Sequence, residues 1–295
     1  MSTKPLRGCG TALVTPFNTD GSIDEKALRS LVDWQIEQGI HFLVPCGSTG
    51  EAATMTLDDH KRVVQITVEQ VKGRVPVVAG AASNDTAKAV ALSKAMKELG
   101  ATHLLHASPM YNKPPQRGIV AHFKAIASAT DLPIVVYNVP GRTGSNIEAK
   151  TTIELAGVKN IHAVKEASGN LTQISDVIRG RPKGFVVLSG DDELTLPIMA
   201  LGGEGLVSVV SNAIPGPMAK LCDLMEEGDF VAARELHMKV LPFMRAAFIE
   251  SNPLPIKASM AMMGKMKNVL RLPLVTMDEK HNDTIKAALK AAGAL

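Results

Sequence analysis

The residue with the most distinctive chemistry is a lysine that ends an apolar, strand-like run. The run reads Ile-His-Ala-Val-Lys, and strand alternation places Lys165 on the same face as Ile161 and Ala163. Long charged side chains are rarely buried, and a buried amine loses its proton more readily and becomes a nucleophile toward carbonyl carbon. Lys165 is therefore a candidate for Schiff-base chemistry, with an ion pair to Glu51 or Asp191 as the alternative.

The chain has only two tyrosines, and both fall near the end of a strand-like run. Tyr137 precedes Lys165 by 28 residues, about one strand-helix repeat, so we expect the phenol and the amine side by side. A phenol can move the protons that imine formation requires, because water must leave the carbinolamine. Tyr111 follows the fourth strand-like run and is expected at the same end of the fold. Aromatic packing is the alternative for each tyrosine.

Two further segments offer groups that bind anions. The second strand-like run leads into Gly47-Ser48-Thr49-Gly50, a turn whose backbone N–H groups could converge on a carboxylate or a phosphate. A plain tight turn is the alternative for this segment. Arg142 follows Tyr137 by five residues and is expected just beyond the end of the same strand.

The elements that must position these residues alternate along most of the chain. Eight short β-branched runs are predicted as strands at residues 12–15, 42–45, 75–79, 103–106, 134–137, 161–165, 186–189 and 205–209. Helical patterns lie between and after them at residues 25–38, 58–72, 86–99, 116–129, 148–155, 171–179, 193–201 and 217–227. Apolar strands in this alternation indicate a parallel sheet covered by helices, and eight strands close a barrel. We therefore predict a (β/α)8 TIM barrel over residues 1–228.

The remaining residues, 229–295, show only helical patterns, at 229–250, 254–263 and 278–292. No flexible Gly/Ser linker precedes them, so we predict a C-terminal helical region packed on the barrel. Helix-boundary signals support the assignments. Asp24, Asp58 and Asn84 are candidate N-caps, and Gly39 and Gly100 lie where a helix should end in a left-handed residue.

Composition excludes several classes of function. The net charge is only +3 and the basic residues are scattered, which disfavours nucleic acid or an anionic membrane as the partner. Three cysteines without a C-x-x-C pair argue against a disulfide framework and a structural zinc site. The N-terminus lacks the apolar region of a signal peptide, and no apolar run is long enough to span a bilayer. We expect a reduced, cytoplasmic protein.

The sequence also disfavours a metal cofactor. His103 and His106 are three apart on a strand, so they are expected on opposite faces, where they cannot share a metal. Asp191-Asp192-Glu193 could be a cation site, but a charged turn that opens the next helix explains these residues better.

Three segments resemble the signatures of a known family. They are Gly-Ser-Thr-Gly-Glu at 47–51, Tyr-Asn-Val-Pro-Gly-Arg-Thr-Gly at 137–144 and Val-Lys-Glu-Ala-Ser-Gly at 164–169. The chain is similar over essentially its whole length to the pyruvate-dependent class I aldolase family, which contains dihydrodipicolinate synthase and N-acetylneuraminate lyase, and most of all to the first group. That resemblance implies that Lys165 forms an imine with pyruvate, without any other cofactor. The derived enamine would attack the aldehyde of L-aspartate 4-semialdehyde and give the heterocyclic precursor of diaminopimelate and lysine.

The resemblance also assigns the residues around the imine. It implies that Tyr137 shuttles protons and that the hydroxyl of Thr49 links Tyr137 to Tyr111. It further implies that Tyr111 is contributed across a subunit interface, in a homotetramer built as a dimer of dimers.

The same resemblance assigns the substrate contacts. Ser48 and Thr49 would hold the pyruvate carboxylate through backbone N–H groups, and Arg142 would bind the carboxylate of the semialdehyde. Gly190 and Val207 match positions that line the pyruvate pocket.

One departure from the family pattern concerns regulation. Lysine-inhibited relatives bind lysine with a His and a Glu, and at the matching positions this chain has Leu57 and Lys88. A tyrosine of that site is Met110 here, whereas His60 and Asn84 are kept. Because Lys88 would repel the ammonium of lysine, we predict an enzyme that is insensitive to lysine feedback.

Two other functions fit the same motifs. An N-acetylneuraminate or keto-deoxy sugar acid lyase would share Lys165, Tyr137 and the Ser48-Thr49 turn, but its polyol substrate offers no carboxylate to Arg142. A catalytically silent barrel that binds a keto acid as a regulator is an alternative of a different class.

Overall fold

The computed structural model describes residues 6–295; residues 1–5, on which part of the signal-peptide argument rests, lie outside the described residues. The strands are β1 (Gly8–Ala12), β2 (Phe42–Val44), β3 (Val78–Gly80), β4 (His103–Ala107), β5 (Ile134–Asn138), β6 (Ile161–Glu166), β7 (Val186–Ser189) and β8 (Gly205–Ser208). The helices are α1 (Glu25–Glu37), α2 (Leu57–Val71), α3 (Thr86–Glu98), α4 (Gln116–Ala129), α5 (Pro140–Thr143), α6 (Ala149–Ala156), α7 (Leu171–Gly180), α8 (Thr195–Ala200), α9 (Pro215–Glu227), α10 (Phe230–Ala246), α11 (Leu254–Met262) and α12 (Asn282–Ala291).

The eight strands form one parallel sheet that closes on itself. Their order is β2-β1-β8-β7-β6-β5-β4-β3, and every pair is parallel. A parallel bridge between Leu43 of β2 and Val77, just before β3, joins the two ends. The predicted (β/α)8 TIM barrel is therefore confirmed.

Alternate residues of the strands fall into two buried clusters. One fills the inside of the barrel and includes Phe42, Leu105, Val135 and Ala163. The other lies between strands and helices and includes Ile161. The prediction that Ile161 and Ala163 share a face is wrong, because the β5–β6 register shifts at this point.

The first strand lies earlier than predicted, at Gly8–Ala12 instead of residues 12–15. A prediction based on β-branched residues does not find this strand, because two of its five residues are glycines. A Cβ atom at Gly10 would lie 2.0 Å from the ring of Phe42, so the neighbouring strand supplies the side chain that fills this position.

Some helix boundaries follow the predicted residues. Asp24 caps α1, because its carboxylate accepts from the N–H of Ala27 at 3.0 Å. Gly39 and Gly100 end helices with φ angles of +89° and +88°, as predicted.

Two predicted caps are wrong by one or two residues. Thr56 caps α2 through its hydroxyl, and Asp58 lies in the first turn of the helix. Asp85 caps α3, and the neighbouring Asn84 donates its amide to the carbonyl oxygen of Met110 instead.

Helices α10, α11 and α12 follow the barrel in the chain. Helix α10 packs against α8, α9 and α12, and α11 packs against α12. The division of the chain at residues 228 and 229 stays a prediction. Within residues 6–295, no helix is both long and apolar enough to cross a membrane.

Candidate active site

A cavity of about 470 Å³ opens at the carboxyl ends of the strands, where TIM barrels carry their active sites. Six of the eight site residues predicted from sequence line it: Ser48, Thr49, Tyr137, Arg142, Lys165 and Gly190. The other two, Tyr111 and Val207, do not appear in its wall. The structure thus brings together predicted residues from the ends of four strands, β2, β5, β6 and β7.

Lys165 lies inside the barrel with 5% of its surface exposed. Burial lowers the pKa of its amine to about 7; the charge of Asp192 opposes this shift and that of Arg142 adds to it. Neither alternative ion pair forms: Glu51 binds Lys257 instead, and Asp191 makes no salt bridge with Lys165. Lys165 therefore supplies a neutral, nucleophilic amine at neutral pH far more readily than an ordinary lysine does.

Gly190 makes room for this lysine. A Cβ atom at Gly190 would lie 2.8 Å from Cβ of Ala167 and 2.9 Å from Cε of Lys165. Only a residue without a side chain leaves the amine in its position at the end of β6.

Tyr137 and Lys165 are paired neighbours on β5 and β6, as their spacing predicts. The amine nitrogen lies 4.1 Å from the centre of the phenol ring, over its face. Burial raises the pKa of Tyr137 to about 12, so the phenol holds its proton at neutral pH. A protonated phenol beside an amine of lowered pKa is a pair suited to general acid catalysis.

The turn after β2 presents backbone and hydroxyl groups to the cavity. Its residues are joined by hydrogen bonds from Gly50 N–H to the Gly47 carbonyl and from Glu51 N–H to the Ser48 carbonyl, both 3.1 Å. The N–H groups of Ser48 and Thr49 have no acceptor among residues 6–295. Two adjacent unpaired donors can bind a carboxylate.

The carboxylate of Glu51 holds this turn from below. Lys257 donates to its Oε1 at 2.5 Å and to the carbonyl oxygen of Thr15 at 2.9 Å, and the N–H of Arg271 donates to Oε2 at 3.1 Å. The side chains of Glu51 and Lys257 are fully buried. The turn is therefore anchored to the C-terminal part of the chain.

Arg142 lies at the rim on the short helix α5. Its guanidinium donates to the carbonyl oxygen of Asn252 at 3.1 Å, and it is exposed on its other side. It is placed to meet a charged group that enters the cavity.

Tyr111 lies outside the cavity of its own chain. It is 88% exposed, has a φ of +74°, and donates its N–H to the carbonyl oxygen of Thr143 at 3.1 Å. The loop is tied further by the amide of Asn112, which donates to the carbonyl of Asn84 at 2.9 Å. A large aromatic side chain is thus held out in solvent by a left-handed backbone that non-glycine residues rarely adopt.

Val207 lies in the interior cluster of the barrel, and Val209 lines the cavity in its place. Val209 follows the end of β8 and packs with the cluster between strands and helices, whereas Val207 faces the barrel interior. The assignment of Val207 to the pyruvate pocket stays a prediction.

The acidic run after β7 behaves as predicted. Asp191 accepts from the N–H of Glu193 at 3.0 Å, Asp192 is buried and accepts from Ser208 Oγ at 2.5 Å, and Glu193 pairs with Arg245 at 2.6 Å. Burial raises the pKa of Asp192 to about 6. Each of the three carboxylates is engaged by the protein itself.

The two strand histidines point to different sides. His106 contacts Ser93 on α3 at 3.1 Å, whereas His103 contacts Thr102 at 2.9 Å. Across residues 6–295, no group of three or more metal-type ligands comes together.

Sequence reasoning missed the contribution of the C-terminal part to this site. Met244 and Arg245 in the last turn of α10 line the cavity, and so do Phe248 and Asn252 after it. The amide of Asn252 donates to Oγ1 of Thr49 at 2.9 Å. The sequence marks this place only by Asn-Pro-Leu-Pro at residues 252–255, which interrupts the helical patterns and carries no sign of a site.

An eight-stranded parallel barrel with a buried, partly neutral lysine in the cavity at its carboxyl ends defines the protein as a TIM-barrel enzyme. Comparison with known proteins narrows this class. Residues 5–292 match the Dihydrodipicolinate synthetase family. The chain belongs to this family and is an enzyme.

Individual relatives agree over nearly full length. The chain is 54% identical to the 4-hydroxy-tetrahydrodipicolinate synthase of Koribacter versatilis, with 98% of this chain and 97% of the relative covered. It resembles a dihydrodipicolinate synthase of Acinetobacter baumannii, solved with pyruvate, with a TM-score of 0.97, 39% identity and coverage of 98% and 100%. It also resembles an enzyme of Cyanidioschyzon merolae, solved with lysine bound, with a TM-score of 0.96, 40% identity and coverage of 99% and 100%.

Proposed function

We propose that the enzyme condenses pyruvate with L-aspartate 4-semialdehyde to give 4-hydroxy-tetrahydrodipicolinate, the first committed step of diaminopimelate and lysine biosynthesis. The observation that carries this proposal is the buried amine of Lys165, with a pKa of about 7, over the ring of Tyr137 in the barrel cavity. The names of the relatives support the choice of reaction. Three buried, unpaired cysteines support a reaction that takes place in the cytoplasm.

The chemistry begins at Lys165. Its neutral amine adds to the keto carbon of pyruvate, and the carbinolamine loses water when a proton is delivered to its oxygen. Tyr137, whose ring lies 4.1 Å from the amine and whose phenol is protonated, can supply this proton. Loss of a proton from the methyl carbon gives an enamine, whose carbon attacks the aldehyde carbon of the second substrate. The amino group of the semialdehyde then adds to the imine carbon, which closes the ring and expels the amine of Lys165, so no further cofactor is required.

The turn after β2 supports the binding of pyruvate. The unpaired N–H groups of Ser48 and Thr49 can hold the carboxylate next to the keto carbon, at a fixed distance from Lys165. Gly190 keeps the opposite wall open.

Arg142 favours the aspartate semialdehyde over the substrate of a sugar-acid lyase. It is charged, lies at the rim and has one exposed side, which suits the carboxylate at the far end of the semialdehyde. Initial rates with aspartate semialdehyde and with N-acetylneuraminate or keto-deoxy sugar acids test this choice. Arg142→Ala should lower kcat/KM for the semialdehyde by at least tenfold, since a charge-assisted contact contributes ~1.5–3 kcal/mol. Retention within twofold would contradict this role of Arg142.

We extend the proposal to the assembly. The exposed ring of Tyr111, held in a left-handed backbone, supports its donation to the cavity of a neighbouring subunit, with Thr49 linking it to Tyr137. The proposed assembly is a homotetramer, a dimer of dimers. Sedimentation of the enzyme tests the size of the assembly. Mixing the Tyr111→Phe and Lys165→Ala variants tests the shared site: activity that returns on mixing indicates that Tyr111 of one subunit completes the active site of another.

We also propose that lysine does not inhibit this enzyme. Leu57 and Lys88 lie where lysine-inhibited relatives carry binding groups, and the amide of Asn84 is engaged with the Tyr111 loop. The ring of His60 is occupied by the carbonyl oxygen of Gly80 at 2.8 Å. A steady-state assay with L-lysine tests this; half-inhibition at sub-millimolar lysine would refute it.

A further inference from the structure

Asn252 contacts two groups of the proposed reaction at once. It lies between α10 and α11, is 5% exposed and lines the cavity. Its side-chain amide donates to Oγ1 of Thr49 at 2.9 Å, and its main-chain oxygen accepts from Arg142 at 3.1 Å. One residue of the C-terminal part therefore touches the turn that would hold pyruvate and the arginine that would hold the aldehyde.

The direction of the Asn252–Thr49 hydrogen bond matters for proton transfer. Because Nδ2 of Asn252 is the donor, the oxygen of Thr49 accepts, and its own hydrogen is left for another acceptor. No residue from 6 to 295 accepts that hydrogen in this structure. Thr49 is only 3% exposed and lines the cavity together with Tyr137, so an acceptor for this hydrogen has room only on the cavity side.

The geometry points to Asn252 as a positioning residue that sets Thr49 as a proton donor toward the cavity. This inference rests on the proposed function. An acceptor at position 252 would take the hydrogen of Thr49 for itself and break the link from Thr49 to Tyr137. Asn252 acts through Thr49 and does not itself touch the reacting carbon.

The substitution Asn252→Asp tests this inference, because a carboxylate of the same size can only accept. We expect kcat at pH 9 to fall about tenfold, the effect of one lost hydrogen bond, while KM for pyruvate changes less than twofold because the backbone N–H groups stay in place. At pH 9 Lys165 is neutral, so an effect of the new carboxylate on the pKa of Lys165 does not lower kcat there. The loss of kcat at this pH therefore reports on the proton donor alone. The same charge should move the acid limb of the pH profile upward by roughly one unit.

A double-mutant cycle shows whether the effect passes through Thr49. Thr49→Val removes the hydroxyl, and in that background Asn252→Asp should change kcat at pH 9 by less than twofold. Asn268→Asp is the matched control: Asn268 lies in the same part of the chain, also has a buried side-chain oxygen without a partner, and is outside the cavity. Its kcat should stay within twofold of the parent enzyme.

Failure of the positioning role can be distinguished from failure of the proposed function. Equal losses in both backgrounds, or a kcat for Asn252→Asp within twofold of the parent, would overturn the positioning role. If Asn252→Asp does not fold, Asn252→Ala removes the donor without adding charge and is judged by the same criteria. Failure of the parent enzyme to trap pyruvate on borohydride reduction would instead refute the proposed function on which the inference rests.

Discussion

The buried ion pair beneath the substrate turn allows a sharp prediction of stability. Lys257 lies on α11 and Glu51 follows the turn that carries Ser48 and Thr49. Both side chains are fully buried and 2.5 Å apart. Burial lowers the pKa of Lys257, and the charge of Glu51 opposes that shift. Replacement of Lys257 by Met therefore leaves a buried carboxylate with only the N–H of Arg271 for a partner.

The size of the effect follows from this geometry. Removing one member of a buried pair costs about 3–5 kcal/mol, because the remaining charge is uncompensated. At about 2–4 °C per kcal/mol for a large domain, Lys257→Met should lower Tm by roughly 6–20 °C. Combining it with Glu51→Gln removes both charges, so the double variant should be more stable than Lys257→Met alone. Because Glu51 anchors the turn, KM for pyruvate should rise severalfold in both single variants.

The assay is chemical or thermal unfolding of four proteins: the parent, each single variant and the double. The exposed pair between Arg245 and Glu193 is the matched control, with a similar separation of 2.6 Å but side chains 64% and 41% exposed. Arg245→Met should change stability by no more than ~1 kcal/mol. If Lys257→Met were as mild as Arg245→Met, the pair would not be the anchor that we describe.

Three further predictions concern the cavity. Because the pKa of Lys165 is about 7, the rate of imine formation should fall about tenfold per pH unit below pH 6 and level off above pH 8. A rate that still rises from pH 8 to pH 10 would show that Lys165 has the pKa of an ordinary lysine. Tyr137→Phe keeps the ring against Lys165, so it should fold normally yet lose ~10²–10⁴ in kcat, and a fully active variant would contradict the proton shuttle. Gly190→Ala should displace Lys165 and slow the trapping of pyruvate, measured by mass spectrometry, with little change in Tm, measured by circular dichroism. Trapping at the normal rate would mean that Lys165 accommodates the added methyl group.

The barrel could be predicted because its signal is local and repeated. Eight apolar runs with helices between them fix the topology, and seven of the eight strands overlap the predicted ranges by at least two residues. The exception is β1, where Gly10 lacks the β-branched side chain that marks a strand, because the ring of Phe42 fills its place.

The site likewise contains residues that the sequence predicts and residues that it does not. Tyr137 and Lys165 could be predicted as neighbours because one strand-helix repeat separates them. Asn252 could not, because it meets Thr49 across 203 residues of chain and lies in a turn between helices. The pairing of Glu51 with Lys257 spans 206 residues and is equally invisible in the sequence, which suggests Glu51 only as a partner of Lys165.

The central claim is that Lys165 is the nucleophile. Incubation with pyruvate and borohydride, followed by peptide mapping by mass spectrometry, tests it most directly. We predict a single covalent adduct, on the peptide that carries Lys165, and none in Lys165→Ala. An adduct on another lysine, or no adduct at all in the folded parent enzyme, would contradict the claim.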